Sequence, residues 1–182
     1  DFAGGTEINV SVGGGLLTHD IPATETWRYF QSFTGMSGQS TRPDGFWMWP
    51  WNGTAWTVSS ALAGVSYPPS LVHTGTTDEK NYVSAVLPGP LVSGALSFTY
   101  LCEASGRLDV SVSSDGRRSN ESSVLASTGG AAETQVSFNL STPLAGARAL
   151  YVRVIAGASS ASNSACSLDD FDIVAEYTKS TS

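Results

Sequence analysis

The densest aromatic cluster in the chain is Phe46-Trp47-Met48-Trp49-Pro50-Trp51, with Trp56 following an Asn52-Gly53 pair. Read as a strand, it places Trp47, Trp49 and Trp51 on one face, about 6.8 Å apart and about 13 Å from end to end. Phe46 and Met48 then face the other way. Indole rings displayed in a row can stack on the C–H faces of sugar rings, so Trp47, Trp49, Trp51 and Trp56 form a candidate glycan platform. The same residues suit a tryptophan-rich corner of the core, completed by Trp27, Phe30 and Phe33, or a contact with another subunit. Pro50 has no N–H to give to a ladder and argues against a central strand.

Carboxylates are the other reactive groups present in number, and glycoside hydrolysis would need two of them flanking a substrate. Glu103, Asp109, Asp115 and Glu133 lie on or near predicted strands, but no spacing singles out a pair. Neither His19 nor His73 belongs to a metal or nucleophile motif. There is no Gly-x-Ser-x-Gly elbow, Cys-x-x-Cys pair or phosphate loop. Gly13-Gly14-Gly15 is followed by no helical pattern and reads as a hinge. The expectation is recognition without catalysis.

The elements that must hold these residues belong to one domain, since 182 residues bury one good core and not two. Charged residues make up only 14% of the chain, against a usual share of about 25%. The net charge is −7, and nine basic residues against sixteen acidic ones leave no clustered cations to displace counterions from phosphate. Nucleic acid is therefore not an expected partner. No apolar run approaches membrane-spanning length, so membrane insertion is not expected either.

Serine and threonine supply 45 residues, so the surface meets water through hydroxyls rather than charges, as on many extracellular proteins and packed assemblies. The chain starts at Asp1 without an initiator methionine, the expected state of a secreted chain after leader removal, or of a fragment. Four of the six asparagines, Asn9, Asn52, Asn120 and Asn139, stand in Asn-x-Ser/Thr triplets and are candidate glycosylation sites. An extracellular or surface location fits all three observations.

Periodicity along the chain is two almost throughout. Alternation marks Glu7–Val12, Trp27–Phe33, Phe46–Trp51, Trp56–Ser60, Tyr82–Leu87, Leu96–Cys102, Leu108–Ser113, Thr134–Leu140, Ala149–Ile155 and Ser167–Ala175. Asn52-Gly53 and Asp115-Gly116 read as tight turns. Residues 61–80 and 156–165 carry no pattern and read as loops. Roughly ten strands joined by Gly, Pro, Ser and Asp turns predict an all-β, single-domain antiparallel sandwich.

From Gly94 the pattern becomes specific. Leu96, Phe98 and Tyr100 share a strand face, and Leu108, Val110 and Val112 share the next. Val136-Ser-Phe-Asn-Leu, Leu150-Tyr-Val-Arg-Val and Leu168-Asp-Asp-Phe-Asp-Ile follow. This order, over residues 94–175, resembles the jelly-roll extracellular modules of the MAM type and the galactose-binding-like jelly rolls of carbohydrate-binding modules. The closing Asp169-Asp170 step is similar to their terminal strand, although the MAM four-cysteine framework is missing.

The resemblance implies a Ca²⁺ site between the first strand and this one, with Asp169, Asp170 and Glu7, or Asp1, as ligands. Strand alternation sends Asp169 and Asp170 to opposite faces unless a bulge intervenes. The resemblance also makes the strands of Cys102 and Cys166 neighbours, which allows a disulfide. The alternative is two buried thiols acting as small apolar side chains.

Residues 1–15 read as an N-terminal strand and glycine hinge able to pair with a neighbour's open sheet edge. Residues 16–177 read as the sandwich and 178–182 as a polar tail. Two functions follow. The first is a structural or adhesive subunit of an extracellular or surface assembly, such as a filament, a virion or a cell surface, whose partners are its own copies or another surface protein. The second is a secreted carbohydrate-binding module using the tryptophans.

Overall fold

Short alternating runs become thirteen strands in the computed structural model, which describes residues 10–13, 16–19, 24–33, 47–49, 56–59, 70–130, 132–160 and 165–179. In chain order they are β1 (Val10–Gly13), β2 (Leu16–His19), β3 (Thr24–Gln31), β4 (Trp47–Trp49), β5 (Trp56–Ser59), β6 (Ser70–His73) and β7 (Glu79–Val86). Then come β8 (Leu91–Cys102), β9 (Gly106–Ser113), β10 (Ser122–Thr128), β11 (Thr134–Asn139), β12 (Ala149–Ala158) and β13 (Cys166–Thr178).

Eleven of them form two antiparallel sheets. One has the order β10-β9-β12-β7-β4. The other runs β11-β8-β13-β6-β5, with β3 paired to the remaining length of β13. The β8–β13 and β9–β12 pairings nest inside one another, the winding of a jelly roll. The all-β sandwich expected from the periodicity is the fold.

The core lies where the two inner faces meet. Leu96, Phe98, Leu168, Phe171 and Ile173 come from one sheet, and Leu108, Val110, Leu150, Val152 and Val154 from the other. All are essentially sealed from solvent. Phe98 stacks on Phe171 at 6.0 Å, and Tyr29 meets Phe171 edge-on at 6.4 Å. Such ring pairs add about 0.5–1.5 kcal/mol beyond the area they bury.

Cys102 and Cys166 stand opposite one another in the β8–β13 ladder and are joined by a disulfide. It closes a loop of 64 residues, which the chain-entropy view values at about 4 kcal/mol. The free-thiol alternative does not hold.

Three expectations about connections need correction. The strands flanking Asn52-Gly53 do not pair with one another: β4 joins β7 in one sheet and β5 joins β6 in the other. A segment apolar on both faces can serve either layer, and Pro50 cannot continue a ladder. Within residues 61–80, Ser70–His73 is a strand, buried at all four positions and so without alternation to reveal it. Asp115-Gly116 opens an eight-residue connection rather than a two-residue hairpin. Gly116 takes φ 71°, Asp115 Oδ1 accepts the Arg117 N–H at 2.9 Å, and a 3₁₀ turn follows over Arg118–Asn120.

Of the segment read as a donor strand, residues 1–9 lie outside the described residues. Val10–Gly13 pairs within the chain, Val10 opposite His19 and Gly13 opposite Leu16.

Candidate functional site

In the five-stranded sheet, register brings aromatic and charged positions from several strands into line. Register carries one row across all five strands: Trp47 lies opposite Tyr82, Tyr82 opposite Arg153, Arg153 opposite Ser111, and Ser111 opposite Ser123. A second row, two residues along on four strands and three along on β10 where the register shifts, joins Trp49, Lys80, Ile155, Asp109 and Ala126. With strands about 4.8 Å apart, each row spans about 19 Å. The inward positions between the rows hold Val110, Val154 and Asn81.

At the β9–β10 edge of this sheet lies a groove of about 270 Å³, bordered by Asp109, Ser111, Arg118, Glu121, Ser123 and Arg153. The Arg153 guanidinium is ion-paired to Glu121, with their side chains only 13% and 11% exposed, and its Nε donates to Ser111 Oγ at 3.4 Å. Asp109 lies 3.3 Å from Arg107 Nε, and Arg107 also pairs with Asp78. Gly157 makes room there, since a Cβ at that position would stand 2.1 Å from Asp78 Oδ1. Donors and acceptors thus alternate beside aromatic positions, an arrangement suited to polyols.

The tryptophans expected to act together are separated. Trp47 and Trp49 stand opposite Tyr82 and Lys80 in the β4–β7 register, whereas Trp51 lies outside the described residues. Trp56 is 2% exposed on the core side of the other sheet, 5.0 Å from the His73 ring, and so belongs to no surface platform. The physical reason is the crossing between sheets after β4. The sequence alone does not single out Tyr82, Arg153 or Ser111. Alternation in Leu150-Tyr-Val-Arg-Val does put Arg153 outward, but only the pairing reveals what stands beside it.

Asp169 and Asp170 sit at a bulge. Asp169 is opposite Thr99 and Asp172 opposite Ser97, so β13 gains one residue there, and Asp170 takes φ 47°. Asp169 is 4% exposed; Asp170 is exposed. Burial pushes the Asp169 carboxyl up to about 6, with the charges of Asp170 and Glu133 acting the same way and the Asp170 N–H, at 2.8 Å, opposing. Glu7 and Asp1 lie outside the described residues. Among those described, no three acidic, histidine or cysteine side chains gather to hold a metal.

Asn120 is exposed, donating from Nδ2 to Asp115 Oδ2 at 2.7 Å, and Asn139 is exposed with Oδ1 accepting the Ser141 N–H at 2.7 Å. Asn9 and Asn52 lie outside the described residues.

Several buried polar groups have no hydrogen-bonding partner among the described residues: both ring nitrogens of His73, Trp56 Nε1 and the Asn81 amide. Burial lowers His73 to about 4, opposed only in part by Asp78 and the Thr77 backbone.

No protein-family model matches the chain, and no curated protein sequence does. Solved structures align with most of it. The K1 cleaved adhesin domain of Lys-gingipain from Porphyromonas gingivalis W83 is similar at a TM-score of 0.57 and 18% identity, covering 82% of this chain and 97% of that one. The K3 adhesin domain aligns at 0.53 and 19% identity, over 82% and 99%. The K2 domain aligns at 0.55 and 15%, over 81% and 99%. A carbohydrate-binding module, CBM35 from Paenibacillus barcinonensis, aligns at only 0.45 with 14% identity, over 81% and 97%, a score too low to bear on this chain. The MAM-type likeness rests on the sequence of the later strands alone. In fold, the chain is a β-sandwich of the kind seen in adhesin domains.

Proposed function

We propose that this chain is a non-enzymatic adhesive domain that binds carbohydrate outside the cell or at its surface. The carrying observation is the Trp47–Tyr82–Arg153–Ser111–Ser123 row, which aligns aromatic and hydrogen-bonding positions across one sheet face. A sugar presents apolar C–H faces and hydroxyls that both donate and accept. Aromatic positions answer the first, and the Arg153–Glu121 pair with Ser111 answers the second. The disulfide fits an oxidising compartment, and the similarity to domains named adhesins agrees in kind.

The test is binding to a printed glycan array, followed by titration of the best glycan with Trp47→Ala and Tyr82→Ala. Binding should fall at least about tenfold while melting changes little. A folded wild-type protein that retains no glycan would end this reading. The competing role, a polymer subunit that donates residues 1–15, predicts high-mass species that dissociate on deleting them. Val10–Gly13 is already paired within its own chain, which favours the glycan reading.

A further inference from the structure

We infer that the β9–β10 groove selects a glycan unit carrying a carboxylate, an acidic sugar, and that Arg118 is the residue that reads it. This rests on the carbohydrate-binding reading above and names its ligand class.

Four charged residues line the groove: Asp109, Arg118, Glu121 and Arg153. Three are committed. Glu121 and Arg153 are paired with each other, and Asp109 faces Arg107. Asp115, which like Glu121 stands three residues from Arg118 in sequence, is also taken. Its Oδ1 accepts the Arg117 N–H at 2.9 Å, its Oδ2 accepts from Asn120 Nδ2 at 2.7 Å, and Arg117 Nε stands 4.0 Å away. These contacts hold the Asp115 carboxyl below its usual range. Arg118 therefore lines the groove with no carboxylate partner among the described residues.

The turn that carries it is held in advance. Gly116 N–H donates to Ser113 Oγ at 3.0 Å, and Asn120 N–H donates to the Arg117 carbonyl at 3.0 Å. A pre-set turn spends little ordering entropy on binding. An arginine is also the side chain whose planar fork matches a carboxylate with two parallel hydrogen bonds. The net charge of −7 disfavours a dense polyanion, so the fit is one carboxylate among hydroxylated neighbours.

The probes are acidic oligosaccharides, containing uronic or sialic acid units, each printed beside its carboxyl-reduced counterpart. Wild type should prefer at least one acidic member by about ten- to a hundredfold over its reduced form. The preference should shrink from 0.05 M to 0.5 M salt, a change that shortens the Debye length about threefold. Arg118→Gln should bring the acidic-to-reduced ratio to about one, while Arg118→Lys should keep part of it. Melting curves check that both variants fold. Equal binding of acidic and reduced members, preference for sulfated over carboxylated sugars, or an unchanged ratio in Arg118→Gln would overturn the inference and leave glycan binding standing. Failure of folded wild type to bind any glycan would take both.

Discussion

β13 has two halves that solve the same problem differently. Its first residues, Cys166–Leu168, pair with β6, and residues 171–178 pair with β3, the division falling at the Asp170 bulge. Beside β3 the polar groups are satisfied at the surface. Arg28 holds Asp172 with two 2.8 Å hydrogen bonds, and Tyr177 Oη and Lys179 Nζ each reach Glu25 at 2.8 Å. Beside β6 they are buried. Among the described residues the His73 ring nitrogens and Trp56 Nε1 find no hydrogen-bond partner, each a cost of about 1–3 kcal/mol to a fold, and Asp169 sits 4% exposed. Only this half carries the crosslink. The difference suggests that a covalent staple offsets polar groups the packing leaves unanswered.

Removing the staple should therefore have the largest effect, and an uneven one. Cys102→Ala with Cys166→Ala should lose about 4 kcal/mol, about 10 °C in melting temperature for a domain of this size. Amide exchange should rise more at Ser70–His73 than at Thr24–Gln31. Equal rises in both strands would erase the contrast between the halves.

Acidity should produce the next largest effect, through two groups in the stapled half with opposite signs. Above pH 6.5, His73 is neutral both folded and unfolded. As pH falls from 6.5 to about 4, the unfolded chain takes a proton that the folded one refuses, and about 3 kcal/mol of stability is lost. Asp169 is ionised in both states above about 6. As pH falls from about 6 to 3.8 the folded chain protonates first, and about 3 kcal/mol is gained. The two trends nearly cancel over this window. Separating them sharpens the comparison: His73→Phe should melt higher at pH 4.5 than at pH 7, and Asp169→Asn should melt lower. Parallel slopes in the two variants would contradict the assignment.

How much of this was legible in the sequence follows the same division. The long alternating strands, Leu96-Phe98-Tyr100 and Leu108-Val110-Val112, declared both their type and their buried face, because one side meets water and the other does not. Ser70–His73 hid because all four of its residues are buried, and Ser122–Thr128 because serines blur the contrast on which periodicity depends. The bulge had a readable sign. Leu168 and Phe171 are three apart while Phe171, Ile173 and Ala175 are two apart, and a three-step in a period-two strand requires an extra residue. The candidate site was the least legible. Trp47 stands out by its type, but Tyr82, Arg153 and Ser111, which share its row, come from three other strands, and their order in the sheet is a property of topology.

The smallest effect should come from the satisfied half. Arg28 forks onto Asp172 and lies 5.5 Å over the Phe30 ring, which is itself 51% exposed, so its truncation removes both contacts. Yet the Arg28 side chain is 59% exposed, so the pair is already largely solvated on the arginine side. Arg28→Ala should therefore shift melting by no more than about 2 °C at low ionic strength and by less in high salt, as expected of surface pairs. A drop as large as that of the cysteine variant would mean that the β3 half depends on this pair as the β6 half depends on its disulfide. The two halves of β13 would then differ in chemistry but not in strategy.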